Sequence, residues 1–426
     1  MNRDLFHLPA CALTVWLMIA LVAPPLAAEP QPGEVYREYR LTMRGQHDWR
    51  VTQPYAVNER ANVFLPNPRL TLQVDDLRDA VRAEALIDRW GGHPGTPDKQ
   101  VRFNDGAWIT LPELTTTPAG QPPELFYSHD NLTISVPLAD LKEGENTVEG
   151  TCGRQFGAGL NWGQWGWTSL ILRVYYDPPR RAHATAAIES PRPGETLGEN
   201  PRIIVAVSGD VDQVDVLAFH EGYDENGDGV FRDWHQLYTH DRRHPASPEE
   251  PRIAHHAGSA TEAPYEVVWN TRWVPDQEEG AVMLMARVRS RDGLWYASEI
   301  VKGLSLRRDG EAVRLYRPLA VPEDCGVRAD RWCAMTIRLP GNPAQAREAS
   351  LHLRTWNGAN ESFWINSHEQ AIEGGNHTFA YTVHPVEPAE LRRGDNVIEF
   401  HSTTEHHAIE VCWPGPALMV RFAGPR

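Results

Sequence analysis

The sequence predicts an all-β chain built in three blocks, and three observations carry that reading. Proline and glycine are abundant, 34 and 33 of 426 residues, and 15 tryptophans accompany them. Such a composition argues against long helices and, through its aromatic content, against disorder. Short alternating apolar segments recur along the chain, Leu70-Thr71-Leu72-Gln73-Val74 and Ile203-Ile204-Val205-Ala206-Val207 among them, with the period of half-buried strands. A long-range internal repeat relates residues of about 69–176 to those of about 334–423, which fixes two of the blocks.

The net charge of −16 excludes a general nucleic-acid binder, which needs a cationic face to neutralise phosphates. Arg3 precedes an apolar run over 10–23, followed by small residues up to Ala28 and an acidic start at Glu29. That is the order of a secretory signal, and the run is too short to span a bilayer of about 30 Å. Residues 1–28 are expected to be a signal peptide and the remainder to be secreted, periplasmic or extracellular, without a membrane span. Cys152, Cys325, Cys333 and Cys412 follow it. An oxidising destination and an even count favour bridges. Cys325 and Cys333 stand near enough to close a short loop and form the expected pair. Cys152–Cys412 would then be the second, with two free buried thiols as the alternative.

The repeat has five landmarks in one order. The strand 70–74 answers Met335-Thr336-Ile337-Arg338-Leu339, and a segment ending in Trp90 answers one ending in Trp356. Phe103-Asn104 answers Ile365-Asn366. Leu141-Lys142-Glu143-Gly144-Glu145-Asn146-Thr147-Val148-Glu149 answers Leu391-Arg392-Arg393-Gly394-Asp395-Asn396-Val397-Ile398-Glu399. Leu172-Arg173-Val174 and Val420-Arg421-Phe422 close the copies. The long fourth element is a turn into a strand: Gly supplies a positive φ, Asn satisfies local backbone groups, and alternation resumes with one face buried. These residues resemble the galactose-binding-like jelly roll, as in the sugar-binding domains of family 2 glycoside hydrolases. The resemblance implies two β-sandwiches, at 29–180 and 313–426, and leaves their ligand open. Residues before 68 are expected to add an edge strand around Tyr39–Met43 or to wrap the first sandwich.

The middle block, 183–308, has other landmarks: Pro264-Tyr265-Glu266-Val267-Val268-Trp269-Asn270-Thr271, an Ala-bearing strand around Met285-Ala286, and the turn Arg291-Asp292-Gly293. It is similar to the Ig-like domains of bacterial surface proteins, which implies a third β-sandwich, here with an insertion around 221–262. Inside the insertion, Asp224-Glu225-Asn226-Gly227-Asp228-Gly229 matches the start of a calcium loop. Asp224, Asn226 and Asp228 occupy alternate ligand positions, the Val230 carbonyl follows, and Asp233 is the nearest later carboxylate. His235 stands where an EF-hand has its Glu. Hard oxygen ligands suit calcium far better than zinc, and a turn without an ion is the alternative.

The loops before each closing strand differ. In the first copy Trp162, Trp165 and Trp167 lie among five glycines over 152–167, beside Gln155, Asn161 and Gln164. Indole faces with neighbouring amides can stack on sugars and bind hydroxyls, with Trp162, Trp165, Gln164 and Asn161 as the expected ligand contacts; the alternative is that the rings fold inward. Exposure is expected of Trp162 and packing of Trp167. In the second copy His401, His406 and His407 match no zinc spacing. No nucleophile elbow is present, and carboxylates are too numerous for spacing to single out a catalytic pair. Two functions follow: an exported, non-catalytic carbohydrate- or glycoconjugate-binding, surface-associated protein, whose partner is a glycan or cell-surface polymer, or an exported glycoside hydrolase or polysaccharide lyase with a cleft framed by the repeats. A deep groove lined by carboxylates favours the second, a flat aromatic strip the first.

Overall fold

The computed structural model describes residues 30–43, 49–157, 159–236, 242–243, 253–357, 362–372, 378–405 and 409–424. The expected signal peptide, 1–28, lies outside them. The protein is all-β: among the described residues the only helical elements are three-residue 3-10 turns. Three sandwiches follow one another along the chain.

In the first, a sheet of Val35–Thr42, Gln164–Tyr176, Ala80–Trp90 and His129–Val136 faces a four-stranded sheet of Leu70–Val74, Gly144–Thr151, Gln100–Phe103 and Ile109–Thr110. In the last, Ala346–Asn357 lies between Thr378–Val386 on one side and Ile409–Val411 with Ala417–Ala423 on the other. That sheet faces Arg331–Leu339, Gly394–Ser402, Ser362–Ile365 and His368–Ala371. The two four-stranded sheets share one register. Leu70 pairs Val148 where Met335 pairs Ile398, and Arg102 pairs Glu149 where Trp364 pairs Glu399.

The repeated Asn residues explain why the motif recurs. Asn146 and Asn396 are fully buried. The Asn146 Oδ1 accepts from Asn104 Nδ2 at 2.9 Å and Lys142 N at 2.9 Å, while its Nδ2 donates to the carbonyls of Lys142 and Gly144. Asn396 does the same with Asn366 Nδ2 at 2.8 Å, Arg392 N at 2.8 Å and the carbonyls of Arg392 and Gly394. Asn104 and Asn366 both sit at φ 51°, a conformation Asn tolerates better than most residues. The pattern is more than a local turn: each pair of amides locks a turn of one strand pair to the start of another, with the polar atoms satisfied by backbone.

The middle sandwich packs Val211–Glu221, Gln277–Ser290 and Val301–Leu306 against Thr185–Ser190, Arg202–Ser208 and Glu266–Val268. Its boundary with the first sandwich is not a break in hydrogen bonding. Val35–Thr42 pairs along its whole length with Gln164–Tyr176 and, at Val35–Arg37, also with Leu294–Tyr296 on its other side. The strand expected at an edge is therefore the shared strand of a 12-stranded sheet spanning both sandwiches. A buried ion network crosses the same line. Glu38 faces Arg173 at 3.2 Å and Arg287 at 3.0 Å, and Arg287 reaches Asp215 at 3.1 Å. Burial alone would raise the Glu38 pKa; the guanidinium groups of Arg287, Arg40 and Arg173 outweigh it and hold the value down to about 2. Removing one member would leave an uncompensated buried charge, which is why such networks tolerate no single truncation.

The Asn lock yields a first expected outcome. Asn396→Ala leaves the Asn366 amide and the Arg392 N–H without their acceptor and should lower stability by about 2–3 kcal/mol, measured as a lower denaturant midpoint with an unchanged folded baseline. Asn146→Ala should behave alike.

Candidate functional site

The tryptophan-rich loop does not form a platform. The strand starting at Gln164 inserts Trp165 and Trp167 between Arg50–Thr52 and Ala80–Trp90. Trp165 and Gln164 are fully buried, Trp167 is 1% exposed and Trp162 5%, so the expected exposure of Trp162 is overturned. Asn161 alone of the four expected contacts faces solvent. Trp165 donates from Nε1 to the Thr151 carbonyl at 3.0 Å and stands edge-on to Trp167 at 5.0 Å. Trp162 packs with Ala56, Ala61 and Phe64. The glycines serve close approach: a Cβ at Gly166 would meet the Trp49 carbonyl oxygen at 2.5 Å.

The Asp-rich loop is likewise a docking element. Asp224 accepts the amides of Gly227 and Gly229, at 2.8 and 2.6 Å, and Asp228 accepts Val230 N at 2.8 Å. Asp233 lies in the strand Arg232–His235 and accepts from Asn226 Nδ2 at 3.3 Å. Among the described residues no three His, Cys, Asp or Glu side chains gather as a metal-ligand set. Gly227 abuts the His129 carbonyl and Gly229 abuts Thr116 and Trp413, so the loop wedges between the first and last sandwiches. Asn226 O accepts Asn131 N at 3.0 Å, and Asp228 O accepts from the Thr116 hydroxyl.

Cys325 and Cys333 are bridged, with Cα atoms 5.7 Å apart. Cys152 and Cys412 are unbridged and buried, so the second expected bridge is absent. Burial pushes the Cys152 thiol up to about 12 and the Cys412 thiol up as well, which leaves both inert as nucleophiles. His406 and His407 lie outside the described residues.

What the two repeats do frame is a cavity of about 210 Å³. The first copy lines it with His93, Pro94, Tyr127 and Leu160, the last with Asp324, Gly326, Arg328, Arg331, Trp356 and Glu410. Its walls are set by docking at one end of the two sandwiches. Trp413 N donates to the Tyr127 carbonyl at 2.7 Å, Asp324 N to Leu125 O at 3.0 Å, and the Trp413 ring stands edge-on to Phe126 at 4.9 Å. The disulfide closes the turn that carries Arg328 and Arg331. On its near side Gly326 pairs with Glu410, and Val411 N donates to Cys325 O at 3.0 Å. A Cβ at Gly326 would lie 2.7 Å from the Tyr127 hydroxyl, so any larger residue there would displace the Tyr127 ring from the cavity wall. Asp324 takes φ 48°, a sparsely populated conformation of the kind held at functional sites.

The electrostatics single out Glu410. Burial raises its pKa to about 8; the Asp324 carboxylate adds to the rise and Arg50 and Arg328 only partly oppose it. Burial first, then Arg50 and Arg328, hold His93 down at about 3, so that ring is neutral. Burial draws Arg50 down to about 10. The Tyr127 phenol is raised chiefly by burial, with Glu410 and Asp324 adding to the rise. The cavity thus combines a protonated carboxyl, a second carboxylate, a phenol, neutral His93, the Trp356 indole and two guanidinium groups. Such a set can donate to, accept from and stack on a small polyhydroxylated ligand, and a carboxyl held protonated at neutral pH can serve as a proton donor. Sequence reading missed this set. Glu410 sits in an ordinary alternating strand, Asp324 in a proline-rich approach to Cys325, and neither differs in kind from the other 55 acidic residues among the 57.

No family model matches the chain and no curated protein matches it. Solved structures similar to it include a beta-porphyranase of glycoside hydrolase family 86 from the human gut bacterium Bacteroides plebeius, at 10% identity over 53% of this chain and 35% of that one, TM-score 0.23. A β-glucuronidase from Ruminococcus gnavus matches at 9% identity over 68% of this chain and 48% of that one, TM-score 0.23. The fibronectin(III)-like modules of Clostridium thermocellum CbhA match at 13% identity over 52% of this chain and 98% of that one, TM-score 0.17. The chain thus spans about a third of the length of the family 86 enzymes.

The Glu410 environment predicts a pH effect with a definite sign. Its unfolded value is near 4.5 and its folded value about 8. Across that window the folded chain keeps a proton that the unfolded chain has released, so this group's contribution falls as pH rises. Glu410→Gln carries no such titration, so its Tm should gain on that of the parent between pH 5 and 8. Parallel Tm–pH profiles for the two proteins would contradict the buried, protonated carboxyl.

Proposed function

We propose that the protein is an exported, carbohydrate- or glycoconjugate-binding protein that takes one saccharide unit into the cavity between its two repeats. The observation that carries this reading is the lining itself, polar groups fixed around an indole, at a junction built by docking two copies of one sandwich. About 210 Å³ is below the roughly 300–1,000 Å³ of drug-sized sites, which suits a single sugar residue or a chain end. Export is supported by the bridged Cys325–Cys333 pair, which fits an oxidising compartment, and by the leader-like residues 1–28. No helix among the described residues is long and apolar enough to cross a membrane.

A second reading is favoured by one feature, the protonated Glu410 beside Asp324. In it the chain is an exported glycoside hydrolase or polysaccharide lyase. In hydrolysis Glu410 would protonate the departing glycosidic oxygen while Asp324 takes a proton from the attacking water. In elimination Asp324 would take the proton α to a uronate carboxyl while Glu410 protonates the departing oxygen, leaving a double bond. A glycan array followed by product analysis separates the readings. Binding alone predicts a retained glycan and no cleavage; catalysis predicts products that Glu410→Gln abolishes while the variant still binds. In either case Trp356→Ala should weaken binding about tenfold, or about 1.4 kcal/mol. An array without a single bound glycan would defeat both.

Calcium on Asp224, Asn226, Asp228, the Val230 carbonyl and Asp233 is a further part of the proposal, supported by the turn that folds the Asp224 carboxylate over residues 227–229. Millimolar calcium should then raise Tm relative to chelator, by the stabilisation that a ligand specific to the native state confers. Equal melting temperatures would assign these carboxylates to backbone capping alone.

A further inference from the structure

The two copies share a register in their four-stranded sheets, so their outward faces can be compared position by position. In the first copy Glu149 is held between Arg69, at 2.6 Å, and Arg102, at 2.5 Å, a row of three charges that closes on itself. The same row in the second copy reads Ala334, Glu399 and Trp364, since Ala334 and Trp364 both pair with Glu399. Both arginines are gone and the carboxylate is kept. Among the described residues no lysine or arginine forms an ion pair with Glu399.

The neighbouring row changes too. Trp332 pairs with His401, which pairs with Ser362. Trp332 is 54% exposed. Its ring lies on the His401 imidazole at 4.2 Å with 17° between planes, and stands 5.2 Å from Trp364 at 47°. His401 is steadied in turn by Asp330, 3.6 Å away. The rings therefore project from one face of the sheet, while Cys333, Met335, Phe363 and Phe400 of the same strands point from the other face into the core. The two indoles, the imidazole backing one of them and the unclamped carboxylate all lie outside the sandwich's apolar core.

We propose that the outer face of the last sandwich, formed by Trp332, Trp364, His401 and Glu399, is a binding platform for a neutral, extended saccharide chain, independent of the inter-repeat cavity. The indoles would take the C–H faces of successive sugar rings, and Glu399 would accept hydrogen bonds from their hydroxyls. Charge decides the class of sugar. Glu399, with Glu369 beside Trp364 on the next strand and Asp330 beside His401, gives the face a negative potential that repels uronate or sulfated polymers. Size decides against a protein partner. Three rings flanked by the Arg338–Asp395 ion pair and Glu369 are far short of the roughly 1,200–2,000 Å² that a stable protein interface buries.

The test titrates the full-length protein with cellohexaose, laminarihexaose and xylohexaose, following tryptophan fluorescence and calorimetry, with polygalacturonate and choline as counter-probes. At least one neutral hexasaccharide should bind. Trp332→Ala and Trp364→Ala should each lower that affinity tenfold or more, with Trp332→Ala leaving Tm nearly unchanged because the ring is largely exposed. Ala334→Arg combined with Trp364→Arg, which rebuilds the charged row of the first copy over Glu399, should abolish binding in a folded protein. Glu410→Gln should leave this binding intact, so failure of the platform and failure of the cavity reading are distinguishable. Absence of binding to all three neutral chains, binding that survives both tryptophan substitutions, or tighter binding of polygalacturonate or choline would each overturn the proposal.

Discussion

One guanidinium ties the three sandwiches together. Arg354 belongs to the last sandwich and is 2% exposed. Its Nη1 donates to His129 Nδ1 of the first sandwich at 2.9 Å, and its Nη2 to the Glu225 carbonyl of the middle insertion at 2.9 Å. Its own carbonyl accepts Cys412 N at 3.0 Å, one residue from the Trp413 that docks on Tyr127 and Phe126. Arg suits this place because its rigid fork can address two acceptors in different directions at once. The same knot includes Tyr223, which stacks on Tyr381 at 5.1 Å and donates to the Gly415 carbonyl at 3.3 Å. The wall of the cavity is fixed only when this knot is closed, because Tyr127 and Glu410 come from different sandwiches.

The seam between the first and middle sandwiches is of another kind. There the joint is a continuous hydrogen-bonded sheet reinforced by Glu38, Arg173, Arg287 and Asp215, so the first two sandwiches move as one sheet if they move at all. The last sandwich meets them through a two-residue strand pair of Arg242–Arg243 with Phe379 and Thr378, through single backbone hydrogen bonds such as Trp413 N to Tyr127 O, and through side chains and a wedge of loop.

How much of this was legible in the sequence follows from what each signal measures. The repeat, the strands and the Asn-bearing turns were readable because their residues act locally or at a fixed strand register. Asn146 and Asn396 recur since the same amide lock must form twice. The Trp-rich loop faces inward against expectation because composition tells which groups are present and not which way they face, and for the same reason the Asp-Gly loop leaves two readings open. Glycine beside Trp165 permits an exposed loop or a backbone pressed against Trp49, and only the fold chooses. Asp224 can bind an ion or cap amides with the same oxygens. The cavity was illegible because its acid, Glu410, owes its character to burial and to charges brought in from distant parts of the chain, Arg50 among them, beside cavity walls such as Tyr127.

Duplication accounts for both candidate surfaces. A repeated sandwich retains what folding requires, the Asn lock and the inward apolar rows, and is free to diverge wherever the lock does not reach. Outward positions such as 69 and 334, or 102 and 364, are under no core constraint, so one copy closes its row with ion pairs while the other presents aromatic rings. The ends of the sheets are equally unconstrained by the lock, and there the copies meet each other. A polar cavity at such a meeting point carries a desolvation penalty for every group it buries. Glu410 escapes most of that penalty by keeping its proton, and His93 by remaining neutral. The two guanidinium groups, Arg328 and Arg331, lie at exposed positions where water still reaches them. The fold thus tolerates the site because Glu410 and His93, its most buried titratable members, are uncharged, while Asp324 is only half-buried and both arginines are exposed.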